Sequence, residues 1–577
     1  MKRTLIFLLF LLIGIMVPVK SAQAVPANPE PFTITQPDGT EITAYVRGDE
    51  WLHWTETDEG YTVLLDADGW WVYAQQAADG SLGVSLDGIN PRLIAGVDDP
   101  NGLPQHLHEP YFNPREEKIA ELTQSDAISL DGISLDSPYL KFTTPQPTLI
   151  IPLRFTNTAG NFGNIDPLYF QSLVFGPTSS NKFVADFYTQ ASFDKLNLVK
   201  AAETCGTAND GVTPWISINQ PHPGTDPALE NAVIAEAISK IDSCVQFNVF
   251  DTNQNNILSA NELHLIFIAE GYEASYGSSP SYPAVWGHQG WFRTNAPIAD
   301  GKKIASFAEW GTYILVGEYH YDHPLTMGIL AHEFGHDLLW PDEYDTQPLD
   351  QDTDTFVIGE RVGGIGNWSL MDGGSWNRVL GEFPGATPAF PDAWLKYYQG
   401  WINPLNYYAK SEIVKIARAE DNPITLLLYP NLNGVDWSLD YKPGTGEYFL
   451  MENRQKVLYD AGLPGCGILI YHIDETRPNT NDANATWNRP LIALEQADGL
   501  NELSVYSGPD WRGDSSDPYH GVPRQNAFTN TTTPNSRLYS GAVTNITVEN
   551  VGACGTPMSA ALNMNWPRLF LPVTLNQ

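Results

Sequence analysis

The sequence predicts three folded parts: a β-rich N-terminal region, a central α+β domain and a C-terminal all-β, sandwich-like domain. Residues 31–98 alternate turn signals with short, aromatic-rich apolar runs, which is typical of a small β unit. Residues 148–155 form an apolar run of the buried-strand type, followed by helical stretches such as 231–241 and strand-like stretches such as 263–269. This mixture indicates an α/β or α+β domain, and we take α+β. Beyond about Trp401 the runs become short and alternating, as in a β-sandwich.

The chain of 577 residues is too long for one hydrophobic core, because single cores stop growing near ~250 to 300 residues. Changes of pattern suggest where the parts begin and end. We expect a leader over residues 1–24, the β-rich region and a linker over 25–138, the α+β domain over 139–405 and the all-β domain over 406–577.

The first residues have the three parts of a secretory signal peptide. Lys2 and Arg3 supply the charge, residues 5–17 the apolar core, and Ala22-Gln23-Ala24 a small-residue cleavage site. A retained membrane anchor is the alternative, but a spanning helix needs about 20 apolar residues and this run ends at Pro18. We therefore expect cleavage near Ala24, a secreted, extracellular protein and no stable membrane insertion.

The charge balance argues against a nucleic-acid partner. The formal net charge is −37, from 68 acidic and 31 basic side chains, and it repels phosphate backbones and anionic lipid head groups alike. We expect protein or peptide partners and a monomeric chain.

Four cysteines in an exported chain favour disulfide bonds. Three pairings are possible. The order along the chain favours Cys205 with Cys244 in one domain and Cys466 with Cys554 in another.

The segment His332-Glu333-Phe334-Gly335-His336 predicts a zinc-binding helix. Histidines at i and i+4 present two neutral nitrogen ligands on one face of a helix, as a tetrahedral zinc ion requires. Glu333 lies one step round the helix. A carboxylate there can take a proton from a zinc-activated water, whose pKa falls to about 7. We therefore predict Glu333 as the general base.

A third ligand is expected in the acidic turn after this helix. Asp342 occupies the position, counted from His332, where metzincin-type peptidases carry their third histidine. Glu343 is the adjacent alternative. A different zinc class takes a glutamate from a later helix, and Glu360 lies at a compatible distance in surroundings that look like loop or strand.

The same region resembles a known family. The segment from His332 to Asp345 is similar to HEFGHDLGLPDEYD of the immune inhibitor A family of secreted bacterial metallopeptidases, and residues 368–376 match its methionine-containing turn, WSLMDGGSW. Residues 182–193, 465–474 and 37–83 also resemble family segments. The resemblance implies a metzincin-like zinc peptidase domain over 139–405, a pro-region before it, and Met371 beneath the metal.

One residue departs from the family pattern. Leu339 stands where the family has a glycine that makes the sharp turn after the helix. A leucine in the left-handed conformation costs about 1 to 2 kcal/mol. We expect either a different turn or strain that packing absorbs.

Residues 251–262 match a twelve-residue EF-hand loop. Asp251, Asn253, Asn255 and Glu262 supply side-chain oxygens, and Ile257 a backbone carbonyl. Asn256 replaces the usual glycine at the sixth position and tolerates a left-handed turn. The loop predicts a structural calcium site, with an ion-free Asx turn as the alternative.

The sequence thus predicts a secreted zinc-dependent endopeptidase that hydrolyses protein substrates by a zinc-activated water with a glutamate base. A catalytically silent peptidase fold that only binds proteins or surfaces is the alternative from another class. Intact His332, Glu333 and His336 argue against it. A zinc hydrolase acting on esters is a third possibility.

Overall fold

A computed structural model gives the architecture of the protein. It describes residues 23–49, 53–77, 80–85, 92–100, 102–109, 145–158, 162–177, 182–277, 283–307, 310–344, 364–407, 410–431, 434–437, 444–477, 489–504, 512–521 and 526–564. Within these ranges the fold is mixed α/β and rich in strands, with few helices. This composition agrees with the sequence prediction.

The N-terminal and central parts contain eighteen of the described strands. Strands β1–β8 span Gln23–Ala24, Phe32–Thr35, Glu41–Gly48, His53–Thr57, Val63–Leu65, Trp71–Tyr73, Gln75–Gln76 and Leu82–Gly83. Strands β9–β18 span Gln146–Phe155, Leu198–Lys200, Ile216–Ile218, His264–Glu273, Ala284–Val285, His288–Gly290, Ile298–Ala299, Lys302–Lys303, Tyr313–His320 and His323–Pro324.

The described helices are central, and the remaining strands are C-terminal. Helices α1–α5 span Pro167–Phe175, Val184–Ala191, Pro227–Ile241, Met327–Asp337 and Ala393–Tyr398. Strands β19–β27 span Leu405–Asn406, Ser411–Ile416, Leu426–Leu427, Glu447–Arg454, Gly467–Asp474, Ile492–Leu494, Ala527–Phe528, Ile546–Glu549 and Met558–Met564. The predicted strand runs near residues 148 and 263 are confirmed, as are the helix near 231 and the short strands beyond Trp401.

The central sheet has the strand order β1-β14-β17-β12-β9-β10. Its inner strands β17, β12, β9 and β10 are parallel, whereas β14 is antiparallel to β17. Alternate residues of each inner strand point to opposite faces. Ile150 and Ile266 pack into one hydrophobic cluster with α1, α2 and α4, while Leu149 and Leu265 pack into another with α3. The sheet therefore lies between two helical layers.

The N-terminal region is β-rich, as predicted. Its first described strand, however, belongs to the central sheet and not to the N-terminal one. Strands β2, β3 and β4 form a small antiparallel sheet. Strand β1 instead pairs antiparallel with β14, with Gln23 opposite Gln289 and Ala24 opposite His288. The edge of the central sheet is thus extended by residues that precede the N-terminal unit in the chain.

The C-terminal part consists of a five-stranded and a four-stranded sheet. Side chains of both sheets, such as Phe449 and Val548, meet in one hydrophobic cluster. The opposite face of the five-stranded sheet carries Leu450 and Tyr471, which belong to the same cluster as Phe334 of α4. The central and C-terminal parts therefore share a core. The sandwich-like interpretation and the exact boundaries stay predictions.

Two covalent and membrane-related predictions can be compared with the structure. The disulfides join Cys205 to Cys244 and Cys466 to Cys554, so both predicted pairs are confirmed. Among the described residues, every helix is too short or too polar to span a bilayer.

A buried arginine ties strand β22 to the central part. The guanidinium of Arg454 donates to both carboxylate oxygens of Asp460, at 2.6 and 2.7 Å, and to Glu452 at 3.1 Å. It also donates to the carbonyls of Phe390 and Trp368. The side chain is fully buried.

We expect Arg454→Met to destabilise the protein by about 3 to 5 kcal/mol, because the Asp460 and Glu452 carboxylates would stay buried without their partner. The measurement is the urea midpoint of unfolding. Arg418→Met is the matched control, since Arg418 pairs with the exposed Asp421 and its loss costs less than about 1 kcal/mol. Equal midpoints for the two variants would contradict the assigned role.

Candidate metal centre

Helix α4 presents the predicted metal ligands and is buried along its whole length. It is held to the central sheet through Asp337. The Asp337 carboxylate accepts hydrogen bonds from Thr312 Oγ1 at 2.7 Å and Gln289 Nε2 at 3.0 Å, and lies 2.8 Å from His264 Nδ1. His264 in turn contacts Gln146 on β9. Asp337 therefore anchors the end of α4 to two strands of the central sheet and to the residue that precedes a third strand.

The helix ends in a tight turn with Leu339 at its centre. Leu339 has a φ of 68°, which is the left-handed conformation. Its N–H donates to the His336 carbonyl, and the Trp340 N–H donates to the Gly335 carbonyl, the bond pattern of a Schellman cap. Leu339 is 4% exposed and packs in the main core. Leu339 therefore adopts the left-handed turn itself, and its packing in the core offsets the strain.

Three ligand atoms meet at the end of this turn. The Nε2 atoms of His332 and His336 are 3.2 Å apart, and Asp342 Oδ1 lies 3.2 Å from the first and 3.3 Å from the second. Two ligands of a tetrahedral zinc ion, each 2.0 to 2.1 Å from the metal, are separated by about 3.3 Å. The three atoms thus form one face of a tetrahedron of the size that zinc requires.

Both imidazoles are oriented by backbone carbonyls. Nδ1 of His332 donates to the Leu370 carbonyl and Nδ1 of His336 to the Trp340 carbonyl, each at 2.9 Å. These bonds place the proton on Nδ1 and leave the Nε2 lone pairs facing Asp342. The buried Asp342 Oδ2 has no hydrogen-bond partner among the residues that the structure describes. The donor set and this unsatisfied carboxylate oxygen fit a divalent metal ion.

The electrostatics agree with the geometry. Burial lowers the pKa of His332, which favours the neutral imidazole that a metal needs. Burial acts to raise the pKa of Asp342, but the two imidazoles outweigh it and lower that pKa. Asp342 is therefore an ionised ligand beside the two imidazoles.

Glu343, the adjacent alternative for the third ligand, has other partners. Its carboxylate interacts with Asp392 and Ser369. Its backbone N–H donates to the Met371 carbonyl at 2.9 Å. Glu360 lies outside the described residues.

Glu333 lies beside the three ligands, and the chain's own N-terminal segment contacts it. Its Oε1 accepts a hydrogen bond from the Val25 N–H at 3.0 Å, and its buried Oε2 has no partner. Burial, and next the charge of Asp342, raise the pKa of Glu333 well above its usual range. A divalent cation at the ligand triangle would oppose that rise.

Residues 25–27 are held in the cleft through their carbonyls. Trp286 Nε1 donates to Val25 O at 2.9 Å, Trp376 Nε1 to Pro26 O at 2.7 Å, and Arg512 to Ala27 O at 2.8 Å. Val25 itself is fully buried. The segment is recognised mainly through its backbone.

Met371 lies against the helix that carries the histidines, as the resemblance implied. A Cβ atom added to Gly335 would be 2.5 Å from Met371 Sδ, and one added to Gly328 would be 2.0 Å from the Ser375 carbonyl oxygen. These glycines are seven residues apart, so both face the segment around Met371. Sequence reasoning missed their role, although glycines inside a buried helix were the available signal.

The predicted calcium loop folds around a lysine. Lys302 Nζ lies 2.6 Å from Asp251 Oδ2 and 2.8 Å from Asn256 Oδ1. Glu262 accepts from the N–H groups of Thr252 and Asn253, and the backbone N–H of Asn255 is bonded by Asp251 and by Asn253 Oδ1. Asn256 has a φ of 66°, so its predicted left-handed turn is confirmed.

The remaining loop residue, Ile257, pairs with Lys303 in an isolated bridge. The ammonium group of Lys302 supplies positive charge where a calcium ion was expected. The calcium prediction for this loop remains a prediction.

Comparison with known proteins places the metal centre in a family. Residues 204–402 match the family described as immune inhibitor A peptidase M6, catalytic domain. The chain is 33% identical over 154 residues to immune inhibitor A of Bacillus thuringiensis subsp. alesti, which is 26% of this chain and 20% of that protein. It is 34% identical over 142 residues to the pre-pro-metalloprotease PrtV of Vibrio cholerae serotype O1 (strain M66-2), 22% of this chain and 14% of PrtV.

The chain spans a fifth or less of the length of these two relatives. The family match contains the whole ligand triangle, Glu333 and Met371. Residues 204–402 are therefore similar to the catalytic domain of the immune inhibitor A peptidase family M6.

Proposed function

We propose that the protein is a secreted zinc-dependent endopeptidase that cleaves protein substrates with Glu333 as general base. The observation that carries the proposal is the triangle of His332 Nε2, His336 Nε2 and Asp342 Oδ1, with sides of 3.2 to 3.3 Å. The similarity to this family and the name of the relative PrtV, a metalloprotease, support it.

His332, His336 and Asp342 would hold the zinc ion. When bound there, zinc supplies a Lewis acid that polarises the scissile carbonyl and acidifies water. Glu333 lies next to this triangle, and its free Oε2 is positioned to take a proton from the attacking water and deliver it to the leaving amine. Burial raises the proton affinity of Glu333, which suits a group that must first accept and then donate a proton.

The substrate would bind as an extended strand. Strand β14 lies next to α4, and β1, formed by two residues of the predicted leader, pairs with it in the structure. Cleavage near Ala24 would leave β14 as the antiparallel edge strand. An exposed edge strand recognises an extended peptide through backbone hydrogen bonds and is tolerant of side chains. Trp286 and Trp376, which bind the carbonyls of Val25 and Pro26, would contribute in the same way to substrate binding.

The N-terminal region would act as a pro-region by occupying this cleft. The Val25 N–H bonds to Glu333 Oε1, and Trp286 and Trp376 bond to the carbonyls of Val25 and Pro26. A substrate cannot use these groups while the segment is bound. Secretion, by a signal peptide cleaved near Ala24, and a monomeric state belong to the same proposal. The residues before Gln23 lie outside the described part of the chain.

Glu333→Gln should lower hydrolysis of casein by about 10²- to 10⁴-fold, because the amide cannot accept the proton of the attacking water. Metal analysis of the purified variant should find zinc at the wild-type level. Glu549→Gln, at an exposed strand end outside the pro-region, is the matched control and should keep full activity. A processed wild-type protein that lacks both zinc and activity would instead favour the binding-module function.

Asp342→Asn should lower zinc content sharply, whereas Glu343→Gln should retain it. The reason is that only Asp342 reaches the two imidazoles, and an asparagine oxygen is a neutral, weaker ligand. The measurement is bound zinc per chain after dialysis against a competing chelator. Zinc loss in Glu343→Gln with retention in Asp342→Asn would reverse the assignment.

A synthetic peptide with the sequence of residues 25–30 should inhibit the enzyme once the N-terminal region has been cleaved and removed. It carries the carbonyls that Trp286, Trp376 and Arg512 bind. Initial rates on a quenched peptide substrate give the inhibition constant, with a scrambled peptide as control. Equal potency of the two peptides would contradict specific occupation of the cleft.

A further inference from the structure

We propose a calcium site formed by Asp498, Glu502, Asp514 and Asp517, beneath the methionine-containing turn of the metal centre. One carboxylate oxygen from each residue lies within 4.8 Å of the corresponding oxygens of the others. Oxygens bound to one calcium ion at 2.3 to 2.6 Å are at most about 4.6 to 5.2 Å apart. The four oxygens are close enough to share one ion.

The cluster has no counter-charge from the part of the chain that the structure describes. None of the four carboxylates forms an ion pair there with a lysine, arginine or histidine. Buried Asp498 Oδ2 and Glu502 Oε2 have no hydrogen-bond partner. Four like charges this close repel one another by an amount that grows as water is excluded.

An uncharged side chain gives an independent indication of a ligand. Gln496 is 3% exposed, and its amide group lies at the cluster, with Nε2 donating to Asp517 Oδ1 at 2.7 Å and a further interaction with Glu502. Its Oε1 is buried and has no hydrogen-bond partner among the described residues. A cation bound at the cluster would satisfy this amide oxygen.

The donor set selects the kind of cation. All the side chains concerned are oxygen ligands, which calcium and magnesium prefer over the nitrogen and sulfur ligands of zinc. Four carboxylates and one amide approach the six to eight oxygens of a calcium ion, while magnesium keeps several waters and uses one or two carboxylates. The cluster therefore fits calcium.

The loop at 251–262 provides a contrast within the same chain. There, the Lys302 ammonium contacts Asp251 and Asn256, and Glu262 bonds backbone N–H groups. The charge of that loop is compensated by the protein itself. The Asp498 cluster lacks such a lysine among the described residues, so calcium is expected here even if the first loop binds none.

The proposed calcium site is in contact with the methionine-containing turn. Asp517 Oδ2 accepts from Trp368 Nε1 at 3.0 Å, and Trp368 lies three residues before Met371. A Cβ atom on Gly366 would be 2.3 Å from the Arg512 carbonyl oxygen, so the two segments are in close backbone contact. An ion that fixes residues 512–517 would therefore stabilise the turn under the metal centre.

The test uses the full chain carrying Glu333→Gln to prevent self-digestion, freed of loosely bound metal, with zinc content measured. Calcium should raise the melting temperature by about 2 to 5 °C. Terbium should bind in its place and emit on excitation of Trp368, whose indole hydrogen-bonds a proposed ligand. Neither readout depends on peptidase activity.

Adding Glu502→Gln should weaken terbium binding at least tenfold and abolish most of the calcium shift. Without calcium, this variant should melt at or above the temperature of its parent, because a repulsive charge has been removed. A purely structural role predicts the opposite sign. Glu549→Gln, with the same charge change at an exposed strand end, is the matched control and should bind terbium like the parent.

Two further variants keep the outcome decisive. Asp498→Asn repeats the test if Glu502→Gln does not fold, and Asp251→Asn separates the two loops. The proposal is overturned if calcium and terbium have no effect on the parent, if their effects are lost only in Asp251→Asn, or if Glu502→Gln binds terbium as well as the parent.

Discussion

The carboxylate of Asp337 fixes the helix on which the whole metal centre depends. It receives hydrogen bonds from Thr312 and Gln289 and contacts His264, so the last turn of α4 is tied to the central sheet. The two histidine ligands are one and five residues before this anchor. A small rotation of the helix would separate their Nε2 atoms from Asp342, because metal ligands tolerate deviations of only about 0.2 Å.

The features that could be predicted from sequence are those that depend on neighbours in the chain. The spacing of His332 and His336 on one helix face, the position of Asp342 after the turn and the left-handed Asn256 are local properties. Leu339 illustrates the limit of such reasoning. The sequence allowed either a different turn or a left-handed leucine whose strain packing absorbs. Which of the two occurs depends on core packing, which a local sequence pattern does not show.

The features that sequence reasoning missed join distant segments. Lys302 enters the 251–262 loop from a separate hairpin, and Trp286 and Trp376 bind the carbonyls of residues 25–26 from across the cleft. Single basic or aromatic residues carry no periodic signal, so their partners are visible only in the fold. The same holds for Arg454, which joins the C-terminal sheet to the carbonyl of Trp368.

The turn below the metal centre is therefore supported from two directions by charged groups of the C-terminal part. Arg454 is a buried cation that carboxylates surround, while the cluster at Asp517 is a group of carboxylates for which the described chain supplies no cation. Both reach Trp368, one through its carbonyl and the other through its indole. A buried charge is costly without its partner. The conformation of the turn around Trp368 therefore depends on whether the charges of these two C-terminal groups are compensated. A C-terminal sheet of this kind is then part of the catalytic scaffold, and its removal should expose the base of the metal centre as well as an apolar face.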